Sequence, residues 1–352
     1  MRLQILYNNG MNALQRADSL RKNCRFAEAA EAYQKILADG YVRDAALGLA
    51  HALRMMGEFH RSLTAYAGVI QREKDKTVKA DALCGTALCL KALVRHQEAL
   101  ERVQKAASLY EATDDDAGLA YALWARAAVL RVAGRLAEAA DSASEALGIY
   151  GHYKDLEGLT YSHCVLGGLA RLMGDPDRSG EHYGEALALA TKRKDPFAVA
   201  YAHCGLGNVH RMRREFKAAL EEFGAAEAGY RVIGDIVSYA YTLWSMGMTH
   251  LFLKHPKKAE ECLQAAACLF EHTGDRRGTA YVHLAWAQTS GVPGPHLKAA
   301  GAITAELAIP WEGLMAEAVA AKGKPAALKK LEPKLAALGS AWRPEGFPIN
   351  IP

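Results

Sequence analysis

The chain has 352 residues, 51% of them hydrophobic, with only 11 prolines, which favours closely packed helices. Its 43 basic and 39 acidic side chains leave a net charge of +4, too small to hold nucleic acid by bulk electrostatics. No run reaches the roughly 18 consecutive apolar residues that a membrane span needs.

From the N-terminus, MRLQILYNNG carries no long apolar signal-peptide core, and the seven cysteines include no CxxC pair. An odd number of cysteines placed inside helical periods fits a reduced, cytoplasmic protein better than a disulfide framework. Helical hairpins begin near Gly10 (Ala17, Phe26, Ala29, Tyr33) and again near Arg43 (Leu49, Ala50, Gly57, Phe59, Tyr66). Leu3, Ile5, Leu6 and Tyr7 are apolar residues ahead of the repeats that are free to pair with another copy, giving a homo-oligomer, or to fold back on the chain.

A fixed step of 40 residues then takes over. Tyr121, Tyr161, Tyr201, Tyr241 and Tyr281 keep it, and so do Asp115, Asp155, Asp195, Asp235 and Asp275. A period of this length is the mark of a stacked-repeat architecture. In the unit starting at Asp195, the pair Asp195-Pro196 predicts a helix N-cap and first turn. The helix should run to about Met212, followed by a turn and a second helix from Phe216 to about Val232. Gly57, Gly134 and Gly174 occupy the turn between helices in other units, as left-handed C-caps.

Small residues recur at three registers. Ala127, Gly167, Gly207, Gly247 and Ala287 share one; Ala99, Ala139, Ser179, Ala219 and Ala259 share the second. Ala106, Ala146, Ala186, Ala226 and Ala266 share the third. They predict helices packed at roughly 8 Å, the short end of the normal interaxial range. The elements Leu206-Gly207, Ala219, Phe223 and Ala226, with Leu166-Gly167, Tyr183 and Ala186, resemble the tetratricopeptide (TPR) repeat. The resemblance covers about residues 10–290. It implies an all-α, right-handed superhelical solenoid of antiparallel helix pairs. The repeat is longer than the usual ~34 residues and lacks its terminal proline. In this it is similar to kinesin light chain and to bacterial peptide-sensing regulators.

With Ala120, Thr160, Ala200 and Ala240 as position 1, positions 2, 5, 9 and 12 form a stripe opposite the core residue at position 8. The resemblance implies that this stripe lines the concave groove. Position 2 carries the tyrosines Tyr121, Tyr161, Tyr201 and Tyr241; position 5 carries Cys84, Trp124, Cys164, Cys204 and Trp244. Asn208, at position 9, is an isolated member of the asparagine ladder that related sensors use to hold peptide backbone. Position 12 carries Arg21, Arg54, Lys91, Arg131, Arg171 and Arg211, then Leu251.

Two readings of this ladder stand together. A cation near a helix C-terminus complements the helix dipole at roughly 0.3–1 kcal/mol. A row of cations spaced roughly 10 Å apart also matches carboxylates about every third residue of an extended peptide, because such a chain advances about 3.3 Å per residue. Trp244, Met248, Leu251 and Phe252 make the far end of the groove apolar, suited to a partner's hydrophobic anchor or to the chain's own C-terminal segment.

After Gln288 the repeat fails at Gly291-Val292-Pro293-Gly294-Pro295. The pattern divides the chain into a solenoid over 1–290, capping helices over 291–338 and an extended tail over 339–352. Helices are expected at about 296–307, 310–322 and 325–338. Trp342, Phe347 and Ile349 are odd companions for a free tail and predict that it docks on its own chain.

No phosphate-binding loop, nucleophile elbow or HExxH occurs, so no catalytic residue, cofactor or metal is expected. His163-Cys164 and His203-Cys204 diverge by about 100° along their helices and cannot share one zinc. The sequence thus reads as a non-enzymatic scaffold. Its expected groove residues are Arg54, Lys91, Arg131, Arg171, Arg211, Tyr121, Tyr161, Tyr201, Tyr241, Trp124, Asn208 and Trp244. The expected partner is a protein or peptide with an acidic or acidic-apolar segment. The alternative is a regulator that senses a peptide or small ligand and changes superhelical shape.

Overall fold

The computed structural model describes the backbone of residues 2–352 and the side chains from residue 12 onward. The apolar patch Leu3–Tyr7 lies outside the described side chains. Nineteen helices follow in order, with no strand among the described residues. The first four are α1 (Arg2–Lys22), α2 (Phe26–Ala38), α3 (Arg43–Met55) and α4 (Phe59–Arg72). Next come α5 (Lys76–Ala92), α6 (His96–Glu111), α7 (Asp116–Val132), α8 (Leu136–Tyr153), α9 (Leu156–Leu172) and α10 (Pro176–Arg193). The long repeats continue with α11 (Pro196–Met212), α12 (Phe216–Ile233), α13 (Ile236–Phe252), α14 (Pro256–Thr273) and α15 (Arg276–Thr289). The last four are α16 (Pro293–Glu306), α17 (Pro310–Ala320), α18 (Pro325–Lys329) and α19 (Glu332–Ala337). Consecutive helices pair as antiparallel hairpins and stack into a TPR-type superhelix.

The aspartate period has a direct cause. Each aspartate is the N-cap of a first helix and accepts a backbone N–H three residues on: Asp115 from Gly118 at 2.8 Å, Asp195 from Ala198 at 3.0 Å, Asp275 from Gly278 at 2.8 Å. These bonds satisfy donors that a helix start otherwise leaves free. Asp155 and Asp235 do the same. Two members of the tyrosine period are tied to it. Tyr161 donates its hydroxyl to Asp195 Oδ2 and Tyr241 to Asp275 Oδ2, both at 3.0 Å, so each bond joins one repeat to the next.

All the second-helix small residues of the two registers above, Ala99 to Ala259 and Ala106 to Ala266, are fully buried. The first-helix glycines admit more than a neighbouring backbone. An added Cβ on Gly207 would lie 2.6 Å from the Phe223 ring, and one on Gly167 would lie 2.9 Å from Tyr183. The space saved by the glycine is filled by an aromatic ring of the partner helix. Ser179 adds a hydrogen bond from Oγ to the Gly167 carbonyl at 2.7 Å.

The superhelix closes on itself in two places. Ala17, Cys24, Phe26 and Tyr33 of the first hairpin share one apolar cluster with Ala200, Ala226, Tyr230 and Ile233 of α11 and α12. At the other end, the C-terminal helices cover α15 and then continue inward to the turns after α7 and α9. Ser340 Oγ donates to the Leu172 carbonyl at 2.6 Å, and the Ala341 N–H to the Met173 carbonyl at 2.9 Å. The third expected capping helix is split, because Pro333 cannot continue a helix from α18 and instead starts α19.

The turn residues record this closure. The left-handed position between paired helices is taken by Val94, Arg214 and Lys254 as readily as by glycine, with φ between 59° and 63°. Glycine stands there only where a distant segment touches. A Cβ on Gly57 would meet Val237 at 3.3 Å, on Gly134 would meet Pro310 at 2.8 Å, and on Gly174 would meet the Trp342 nitrogen at 2.5 Å. Gly234 also has positive φ, but nothing lies within 4 Å of its missing Cβ. Gly234→Ala should therefore cost only the left-handed backbone term, about 1–2 kcal/mol. Gly174→Ala should cost about 1–3 kcal/mol more from overlap with the Trp342 backbone. Chemical denaturation of the two variants checks this ordering; equal losses would contradict the docking contact.

Candidate functional site

The closed superhelix encloses a chamber of about 240 Å³ on its concave side. Position 12 of successive repeats reaches it at Lys91, Arg131 and Arg171, in the last turns of α5, α7 and α9. Tyr201, Tyr241, Trp244 and Asn208 line it as well, together with Tyr281, Asp275 and Arg277. Placement at helix C-termini is where the dipole favours cations. None of Lys91, Arg131 and Arg171 has a carboxylate partner among the described residues, and Nε of both arginines lacks any hydrogen bond.

The arginines are fitted individually. Gly168 leaves the notch that admits Arg131: a Cβ there would lie 3.1 Å from Arg131 Nη1. Lys91 is held down to about 7, first by burial and then by Arg131, Arg54 and Arg277, with Asp275 opposing. Burial pushes Asp275 the other way, above the usual carboxylate range. Arg277 is the cation that is already matched. Its Nε is 2.7 Å from Glu312 Oε1, and its guanidinium lies over the Tyr281 ring at 5.3 Å.

The remaining expected residues have other surroundings. Arg54 sits beside His51, with Nη2 3.3 Å from His51 Nδ1. Tyr121 stacks on Trp124 at 5.9 Å. Trp124 and Trp244 donate their indole N–H groups to the carbonyls of Tyr161 and Tyr281, at 3.0 and 2.9 Å. These indoles stitch neighbouring repeats, and Trp244 at the same time forms part of the chamber wall.

Arg211 differs from the rest of the ladder. It is completely buried. Its Nη1 donates to the side-chain oxygen of Asn350, and Asn350 Nδ2 donates back to the Arg211 carbonyl at 2.9 Å. Nη2 donates to Asn208 Oδ1 at 3.0 Å, and the guanidinium lies 5.7 Å from the Trp244 ring centre. Burial and Arg171 lower its pKa to about 9, so it stays charged at neutral pH. The tail has thus entered the groove. Ile349 and Ile351 are buried in the same apolar cluster as Trp244 and Met248, with Leu251 and Phe252 packed against it. The Ile349 N–H donates to Gln288 Oε1 at 2.5 Å, and Pro352 lines the chamber.

Periodicity gave no sign of Arg277, Gln288 or Asn350. Arg277 was within reach, since it stands one turn before Tyr281 on the tyrosine stripe. His163 approaches His182, and His203 approaches Glu222, each on the second helix of its own hairpin. No group of three metal-ligating side chains occurs among the described residues, and no helix is long and apolar enough to cross a membrane.

Lys91 supplies a pH signature. The folded chain holds it near 7 and the unfolded chain near 10.5. Between those values the unfolded state binds the extra proton, so stability falls as pH drops from about 10.5 to about 7 and falls no further below. Denaturation of wild type and Lys91→Met at pH 10 and pH 7 should show the variant gaining on wild type at the lower pH. A constant difference would contradict a buried, depressed Lys91.

No family model matches the sequence, and no curated protein matches it. Among solved structures, a Rap protein complexed with competence and sporulation factor superposes with a TM-score of 0.69 at 15% identity, covering 94% of this chain and 99% of that one. NprR in complex with its cognate peptide NprX gives 0.58 at 10% identity, covering 89% and 98%. Aspartyl phosphate phosphatase F from Bacillus subtilis gives 0.54 at 13% identity, covering 93% and 91%. Likeness at this level concerns the fold and carries no active site across. The chain is an all-α, TPR-type superhelical solenoid, similar in fold to bacterial peptide-sensor proteins.

Proposed function

We infer that the protein is a regulatory binding protein that takes an anionic peptide, or an acidic-apolar protein segment, on the concave face and acts by positioning it without turnover. The observation that carries this reading is the row Lys91, Arg131 and Arg171, three basic side chains at one structural position that line a chamber and form no ion pair among the described residues, with Nε of both arginines lacking a hydrogen bond. Cations left in a partly buried cavity without partners are costly, and a ligand carboxylate recovers that cost through charge-assisted bonds. Arginine suits this role because its planar fork binds carboxylates in two places. Two proteins of similar fold were solved with a bound partner, a Rap protein with competence and sporulation factor and NprR with its cognate peptide NprX, which supports reading this solenoid as a peptide binder. All seven cysteines are free, which fits a reducing, cytoplasmic setting.

The sensing form of this reading is favoured over a passive scaffold. The chamber of about 240 Å³ is smaller than the usual range for ligand pockets, which starts near 300 Å³. A peptide of several residues therefore requires the groove to change as it binds.

Immobilised protein exposed to a peptide fraction of the host extract, read by mass spectrometry, tests this. The retained peptides should be enriched in Asp and Glu, and Arg131→Ala/Arg171→Ala should retain them at least about tenfold less, since hydrogen bonds to charged groups contribute roughly 1.5–3 kcal/mol each. No acidic enrichment, or equal retention by the double variant, would contradict it.

A further inference from the structure

The last residues of the chain sit in the groove as a ligand would. We propose that residues 349–351 hold, in cis, the place of a partner segment of the same pattern. That pattern is an asparagine between two bulky aliphatic residues, followed by one or more carboxylates, and the partner binds by exchanging with the tail. The carboxylate half of this proposal rests on the anionic-peptide reading above; the exchange half does not.

Four observations lead here. First, the contacts read both the backbone and the side chain of the inserted segment. One backbone N–H, that of Ile349, meets a glutamine side chain, and one side chain, Asn350, both accepts from Arg211 and donates to its carbonyl. The Ile351 N–H donates back to the Ile349 carbonyl at 3.1 Å, so the segment enters as a tight turn that buries the two isoleucines and presents Asn350 to Arg211. Second, the tail is held at separate points. Trp342 is buried at the Gly174 turn, and Gly346 and Phe347 pass Gly323 while staying exposed with Glu345, so the inserted end can leave while the cap stays.

Third, Arg211 cannot simply be abandoned. It is completely buried, with Nε already without a partner, and loss of Asn350 would strip an acceptor from a buried charge. Removing one partner of such a group is far more costly than replacing it. The groove therefore favours exchange for a segment that supplies another acceptor at the same place. Fourth, Pro352 lines the chamber that Lys91, Arg131 and Arg171 also line, and residues 349–352 form no ion pair with them. A partner segment that places an acidic side chain here reaches those cations. That difference is what lets the partner win over an occupant that is covalently tethered and so present at high effective concentration.

The test uses a fluorescein-labelled peptide of residues 343–352, RPEGFPINIP, and the full chain. In Ile349→Asp/Ile351→Asp the tail is driven from the apolar cluster. This variant should bind the peptide at least about tenfold more tightly than wild type does, as for removal of any competing occupant. If the double variant loses its helical signal, full-length Asn350→Ala gives the same comparison, and it too should bind more tightly than wild type. A peptide with leucine in place of asparagine should bind the released chain at least about tenfold more weakly, the loss expected when buried Arg211 keeps only Asn208 as a side-chain acceptor. Equal binding by wild type and the released chain, or indifference to the asparagine, would overturn the exchange. Two glutamates appended after the last proline should tighten binding in a salt-sensitive way that Arg131→Ala/Arg171→Ala abolishes. If they do not, the carboxylate half falls and the anionic-peptide reading falls with it, while the exchange stands.

Discussion

The structure depends on one repeated contact: an aspartate that opens the first helix of each 40-residue repeat and, at Asp195 and Asp275, also binds the repeat before it. One carboxylate oxygen caps its own helix. In the repeats that begin at Asp195 and Asp275, the other oxygen takes the tyrosine hydroxyl of the repeat before. The contact fixes both the start of the helix and its rotation against its neighbour. Rotation is what matters for function, because it decides which stripe faces inward. In the stacked repeats, position 12 of α5, α7 and α9 delivers Lys91, Arg131 and Arg171 to one concave surface.

A stack of hairpins with this register would ordinarily be an open groove. Here both ends turn back on it. The first hairpin packs on α11 and α12, and the C-terminal segment runs from α15 across to the turns at Gly134 and Gly174 before its last residues enter the channel. The result is a channel divided in two. One part is apolar and filled by Ile349 and Ile351, with Asn350 matched to the buried Arg211. The other part is a small chamber in which Lys91, Arg131 and Arg171 form no ion pair among the described residues. On the reading proposed above, the ligand carries both kinds of chemistry in sequence and binds by displacing the occupant.

Much of this was legible in the sequence because it repeats. Asp195-Pro196 marked the start of α11, and the small residues at Gly167, Gly207 and Ala219 marked the packed faces. Position 12 stood out as basic before any side chain was placed. The expected reason for the glycines was incomplete: they admit an aromatic ring such as Phe223, which pairwise helix spacing does not reveal. Closure was not legible, because contacts between segments more than a hundred residues apart occur once and leave no period. The turn glycines carried the one trace of it. Val94, Arg214 and Lys254 adopt the same left-handed turn without glycine, so Gly134 and Gly174 answer to their neighbours as well as to φ. Arg211 shows the same limit. By register it belongs with Arg131 and Arg171, and only the tail's own asparagine sets it apart.

The central claim is that the groove is loaded with its own tail, and the amide of Ile349 reports on it most directly. Hydrogen exchange of the intact chain at neutral pH separates Ile349, whose N–H is bonded to Gln288, from the exposed Gly346 and Phe347 only a few residues away. Ile349 should exchange at least about a hundredfold more slowly than these two, equivalent to roughly 3 kcal/mol of local opening free energy. Equal exchange across residues 345–351 would mean that the tail does not occupy the groove, and the account built on Arg211 and Asn350 would not hold.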